Sequence, residues 1–203
     1  PDRYFNGEQW VLGEQGASQI DRANLEQRLQ ARYYKDFIDQ WRAYLSAGSV
    51  VKYKDLKDAS QKLNTLSSNL SPLLSMLCLA SQNVAVDDPA VANVFQPVQA
   101  VVPSGCAERY IAPANQNYMN ALVTLQASVD GAAQSPGNEA LAGQSMTQAT
   151  AAKIAARQLA QSFRLDPDGH TDSTVLKLLL DPITNAEALM RREERPGVAT
   201  SIA

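Results

Sequence analysis

"ARYYKDFIDQWRAYL", Ala31 to Leu45, decides the fold class. No glycine or proline interrupts it, so nothing in the stretch breaks a helix. Extended toward the N-terminus, its apolar positions Leu25, Leu29, Tyr33, Phe37, Trp41 and Leu45 recur every four residues, with Tyr34, Ile38 and Tyr44 beside them. Arg28, Arg32, Lys35, Asp36, Asp39 and Arg42 fall on the other side. That is the period of an amphipathic helix, with a charged face toward water and an aromatic stripe toward a core. Aromatic rings at this spacing are expected to be core anchors, because each removes a large apolar area from water.

The chain outward from this stretch reads as helix upon helix. Upstream, "SQID" at Ser18 has the form of a capping box and starts the same helix, which ends by Gly48. Residues 1–16 differ: an Asn6-Gly7 turn and the short apolar run Trp10-Val11-Leu12, closed by Gly13, predict an extended arm pinned by Trp10. Downstream, a second helix is expected from about Lys54, with Leu56, Ala59, Leu63, Leu66 and Leu70 on one face. Ser71-Pro72 marks a third start, since proline in the first turn loses no bonded N–H. The run "PLLSMLCLAS" is apolar nearly all round and should be central. Pro89 opens a fourth helix, expected to be broken or kinked at Pro97.

Pro103, Gly105 and Pro113 lie close together and mark the best candidate boundary. A fifth helix is expected over about Asn115–Ala133, and an Ala-rich sixth over Glu139–Phe163 whose small residues permit close approach. After the turn "LDPDGHTDS", a short helix Val175–Leu180 and a last one starting at Pro182 complete the chain. The expectation is an all-α fold: multi-helix bundles with a short extended arm. Its division is an arm at 1–16, one helical subdomain at 17–110 and another at 111–203.

Composition narrows the function classes. With 45% hydrophobic and 19% charged residues the chain has the material for a core, and disorder is excluded. A formal net charge of −3 with scattered Lys and Arg argues against tracking a nucleic-acid backbone. The longest apolar run, Pro72 to Ala80, is far short of the roughly 20 residues that span a bilayer, so no membrane insertion is expected. Pro1 stands where an initiator Met would, and the chain reads as a piece of a longer one.

Catalytic constellations are not legible. His170 is the single histidine and lies in a polar turn, which leaves no triad and no zinc spacing. Asp166, Asp168 and Asp172 hint at a calcium loop that lacks the closing Glu; a turn capping the next helix through Thr171 or Asp172 is the expected role. Ser49-x-x-Lys52 has the spacing of a penicillin-binding site without the sheet such a site needs. No enzyme activity, metal or cofactor is expected. Of the two cysteines, Cys78 in its apolar run is expected to be a buried free thiol and Cys106, after Pro-Ser-Gly, to be more exposed. Pairing of the two would stabilise by roughly 3 kcal/mol through loop closure.

The order of three segments adds what periodicity does not. Trp10-Val11-Leu12-Gly13 precedes the helix carrying Tyr33, Asp36, Phe37, Trp41 and Leu45, and Leu66-Ser67 with Ser71-Pro72-Leu73 follows. This series closely resembles the periplasmic part of the IcmF family, the TssM proteins of type VI secretion systems. "VLKLLLDPI", Val175 to Ile183 with Pro182, resembles a Leu-Leu-x-x-Pro segment further along those proteins. Phe37 stands where the family carries tyrosine. The resemblance implies a non-catalytic structural domain in the periplasm, spacing and orienting its neighbours within the trans-envelope core complex. It implies the inner-membrane protein TssL, further copies of TssM and the outer-membrane lipoprotein TssJ as partners, the last through a downstream domain. A helical module binding an envelope partner through an exposed groove is the alternative.

Overall fold

In the computed structural model, residues 22–106 and 109–193 are described; the expected arm at 1–16 and the capping box at Ser18 lie outside them. Seven helices and no strand are found among the described residues. They are α1 (Arg22–Ala47), α2 (Leu56–Leu66), α3 (Pro72–Asn83), α4 (Pro89–Val101), α5 (Gln116–Gln134), α6 (Glu139–Ala160) and α7 (Thr171–Glu193). The all-α expectation holds.

Local chemistry explains most helix starts. The Asp55 side chain accepts from the Asp58 N–H at the head of α2, and Ser71 accepts from Leu74 N–H just before Pro72. Asp88 accepts from the N–H groups of Ala90 and Val91 ahead of α4, and Asn138 from those of Ala140 and Leu141 ahead of α6. Each cap satisfies N–H groups that have no partner inside the helix.

Neither expected proline position interrupts a helix: of the break or kink expected at Pro97, the break does not occur. Pro97 lies within a continuous α4, and Pro182 within a continuous α7 rather than at the start of a separate helix. Both rings are buried. Proline withholds the N–H that the carbonyl four residues earlier would accept, and in α7 that carbonyl belongs to Leu178. One residue further, the fully buried Tyr118 hydroxyl donates to the Leu179 carbonyl at 2.8 Å, so α5 supplies a donor beside the position where α7 lacks one. Tertiary packing overrides the local signal here.

The chain divides into two compact units between Gln40 and Trp41. In the first, the described residues are the leading turns of α1. Tyr33 stacks on Phe37 with ring centroids 6.1 Å apart and meets Tyr34 edge-on at 5.6 Å. Tyr33 is 63% exposed, and Leu25 and Leu29 are also exposed. The stripe was expected to be a core seam; here its rings pair along their own helix, as residues four apart do. The other face behaves as expected, with exposed ion pairs Arg32–Asp36 at 2.8 Å and Lys35–Asp39 at 2.6 Å.

In the second unit the core lies where α5 packs between α2 and α6, with α7 against α6, α4 and α2. Tyr118, Leu122, Leu125 and Val129 of α5 are inaccessible or nearly so, as are Leu63 of α2 and Leu179 and Ile183 of α7. Against them α6 presents Ser145, Ala149, Ala152 and Ala156, all buried. The small residues permit the close approach that the sequence suggested. Because α2 packs on α5, the helices either side of residue 110 share one core; the units divide at Gln40 rather than near the expected 110/111 boundary.

Cys78 and Cys106 form a disulfide, with Cα atoms 5.9 Å apart, and both are buried. A free thiol at Cys78 and an exposed Cys106 were expected instead. The chain returns from the end of α4 onto α3, which sequence spacing does not reveal. The same connection is held by Asn115, whose side-chain amide donates to the carbonyls of Val101 and Tyr110, both at 2.9 Å. Its side-chain oxygen accepts from Ala112 N–H at 3.0 Å.

Candidate functional site

Two features of the second unit gather side chains for which helix periodicity gives no reason. The first is the turn before α7. Burial alone would push the Asp166 carboxyl up, but donors outweigh it: the Thr171 hydroxyl at 2.6 Å, the Arg42 guanidinium at 2.6 and 3.1 Å, and the N–H groups of Thr171 and Gly169 at 3.2 and 3.3 Å. The carboxyl is held at about 2. Asp172 returns the arrangement by accepting from Asp166 N–H at 3.1 Å. In this turn Thr171 donates to Asp166 through both its hydroxyl and its N–H, while Asp172 accepts from the N–H of Asp166.

Asp166 has only 2% of its side chain exposed and Arg42 21%, so the pair is a shielded one. It joins the last turns of α1 to the turn before α7, 124 residues away in sequence. Arg42 was expected on a solvated face; its fork-shaped guanidinium instead meets both carboxylate oxygens. Gly169 makes room for it, because a Cβ there would collide with Cδ, Nε and Cζ of Arg42. His170 adopts a left-handed backbone, φ 52°, to close the turn. Among the described residues no group of His, Cys, Asp and Glu is arranged to hold a metal ion.

The second feature is a cleft of about 290 Å³ beside α2 and α3. Val50, Val51, Leu66, Leu73, Met76 and Leu178 give it an apolar lining, to which Ser49, Tyr53, Lys62 and Thr65 add polar side chains. Lys62 is already paired with Asp58 at 2.6 Å and stands 5.9 Å from the Tyr53 ring centroid. The Tyr53 hydroxyl is buried and has no hydrogen-bond partner. Its ionisation is pushed up, first by burial and then by the Asp58 carboxylate, so the phenol stays a donor.

The residues singled out from the sequence are distributed rather than gathered. Trp10 and Gly13 lie outside the described residues. Tyr33 and Asp36 are exposed, Phe37 and Trp41 half-buried, and Leu45 alone of the stripe is buried. Trp41 meets Tyr44 edge-on at 5.3 Å, while the Tyr44 hydroxyl donates to the Met76 carbonyl at 3.4 Å. Ser71 and Leu73 are buried, Pro72 is exposed at the head of α3, and Pro182 is buried in α7. Sequence reasoning missed Asp166 as a hub and Tyr53 altogether. The cluster of turn residues around Asp166 was a signal of local order; nothing in the sequence marks an unpartnered tyrosine.

The described residues define a disulfide-bonded, all-helical protein whose helices are held by shielded polar contacts, with no helix long and apolar enough to cross a membrane. Residues 2–85 match the family model described as IcmF-related, intracellular multiplication and human macrophage-killing. The match takes in α1, α2 and α3 and supports similarity to an IcmF-type secretion component. No curated protein and no solved structure matches the chain.

Proposed function

We propose that the chain is a non-catalytic structural domain of a TssM protein, lying in the periplasm as part of the membrane core complex of a type VI secretion system. It spaces and orients the domains on either side. The observation that carries this reading is the IcmF-related match over residues 2–85, a span that takes in the aromatic helix and the Ser71-Pro72-Leu73 start. The disulfide supports the compartment, since such bonds persist in the periplasm and are rare in a reducing cytosol. The partners in this reading are TssL, other TssM copies and TssJ, with TssJ contacted through a domain that follows.

The compartment is tested in cells. Thiols are trapped in acid from cells making the whole secretion protein, and the peptides bearing Cys78 and Cys106 are read by mass spectrometry before and after reduction. Linked peptides that take up alkylating agent only after reduction fit the periplasmic reading. Full alkylation of both cysteines without reduction would refute it.

A further inference from the structure

The helix α3, apolar nearly all round and expected to be central, is open on one side. Pro72, Leu79, Gln82 and Asn83 are exposed and Ser75 and Met76 half-buried, while Leu73, Leu74, Leu77 and Cys78 are buried. Leu79, in the middle of this open stripe, is 48% exposed, and Val86 just past the helix is exposed as well. From Leu63 to Val86 there is no charged residue, in a chain that is 19% charged. The open face of α1 shows what a solvated helix ordinarily carries, the ion pairs Arg32–Asp36 and Lys35–Asp39. Beside the α3 stripe lies a hollow of about 550 Å³, walled in part by Tyr44, Met76, Leu79, Gln82 and Tyr110. Depletion of charge with tyrosine and methionine at the surface is the composition of the middle of a protein–protein contact. Every residue of this face belongs to the second unit.

The absence of charge also selects the partner. In a two-fold contact between identical chains the same patch serves both sides, so a charge near the axis faces its own like. A contact between different proteins has no such restriction and commonly sets positive against negative groups. We propose that the open face of α3 is where two copies of this chain meet, the two helices crossing near Leu79 so that each copy covers the hollow of the other. The scaffold function proposed above includes other copies among its partners without placing them. The α3 contact is measured on the chain alone, with no secretion partner present, so its failure would leave that function untouched.

The test is sedimentation equilibrium of the full chain. One helix pair makes a small contact, so a monomer–dimer equilibrium with a Kd of roughly 10–500 μM is expected. Lacking charged pairs, the dimer should not weaken at roughly 0.5 M salt. Leu79→Glu and Leu79→Lys each set like charges across the two-fold and should each raise Kd at least about tenfold. Circular dichroism should stay that of wild type, because the site is half exposed. Mixed together, the two variants should regain a dimer, which requires residue 79 of one copy to lie near residue 79 of the other. Gln82→Glu, at an exposed position of the same face, should also weaken the dimer, and it decides the matter if a Leu79 variant loses helical signal. A monomer at millimolar concentration would overturn the proposal. So would a Leu79→Glu dimer as tight as wild type, no recovery on mixing, or dissociation by salt.

Discussion

Replacing Asp166 by asparagine isolates a shielded carboxylate that ties α1 to the turn before α7. The folded chain holds Asp166 at about 2 against an ordinary value of 3.8. That gap corresponds to roughly 2 kcal/mol of folding stability at neutral pH. The sign follows from proton counts. Between these two values the unfolded chain binds more protons than the folded one, so stability rises with pH. The contribution is present above about pH 4 and is lost as pH falls toward 2. Asparagine cannot carry the charge, and one of its two side-chain atoms becomes a donor facing the donors of Arg42 or Thr171. Asp166→Asn should therefore lower stability at pH 7 by about 2–3 kcal/mol. For a domain of this size that is a fall in Tm of about 5–10 °C. Urea unfolding followed by circular dichroism at pH 7, 5, 3 and 2 provides the measurement. The difference between wild type and variant should shrink below pH 4 and nearly vanish at pH 2. A difference that stays constant across this range would refute the assignment of a depressed Asp166, because Asp58, half-buried and paired with Lys62, titrates alike in both proteins.

Gly169→Ala tests the same geometry without changing a charge: the new methyl should displace Arg42 and destabilise by about 1–3 kcal/mol. The loss should largely disappear in an Arg42→Ala background, measured as a double-mutant cycle in urea. Removing the disulfide with Cys78→Ala and Cys106→Ala together opens a loop spanning 28 residues, and should cost about 3.6 kcal/mol by loop-closure entropy, read from the unfolding midpoint. Tyr118→Phe deletes the donor to Leu179 beside Pro182 and should cost about 1–2 kcal/mol, with faster amide exchange in α7 around residues 178–183.

Much of the helical order is legible in the sequence because it is local. Asp88 before Pro89, Ser71 before Pro72 and the break at Pro136-Gly137 are written within a few residues of the helix ends they set, and α3, α4 and α6 start where these signals place them. The small residues of α6 likewise announced close packing. What failed depended on distant partners. Pro97 read as a break or kink and Pro182 as a helix start, since no local signal reveals that both rings would be buried inside continuous helices. The Cys78–Cys106 bond depends on how the chain returns after α4, and the Arg42–Asp166 pair joins residues 124 apart. The aromatic stripe misled for a different reason. Its period specifies a helix, but rings four apart satisfy one another on the helix surface, so the period alone does not identify a core. The cleft was unreadable because its lining comes from α2, α3, α7 and the connection before α2.

The structural-scaffold reading is tested most directly by calorimetric titration of this chain with the TssJ lipoprotein proposed as its partner, lacking the acyl group. A second titration uses a chain extended through the downstream domain that this reading proposes. A spacer and positioning element predicts heat of binding for the extended chain and none for residues 1–203 alone. Tight binding by residues 1–203 would contradict it and move recognition onto the helical surface described above.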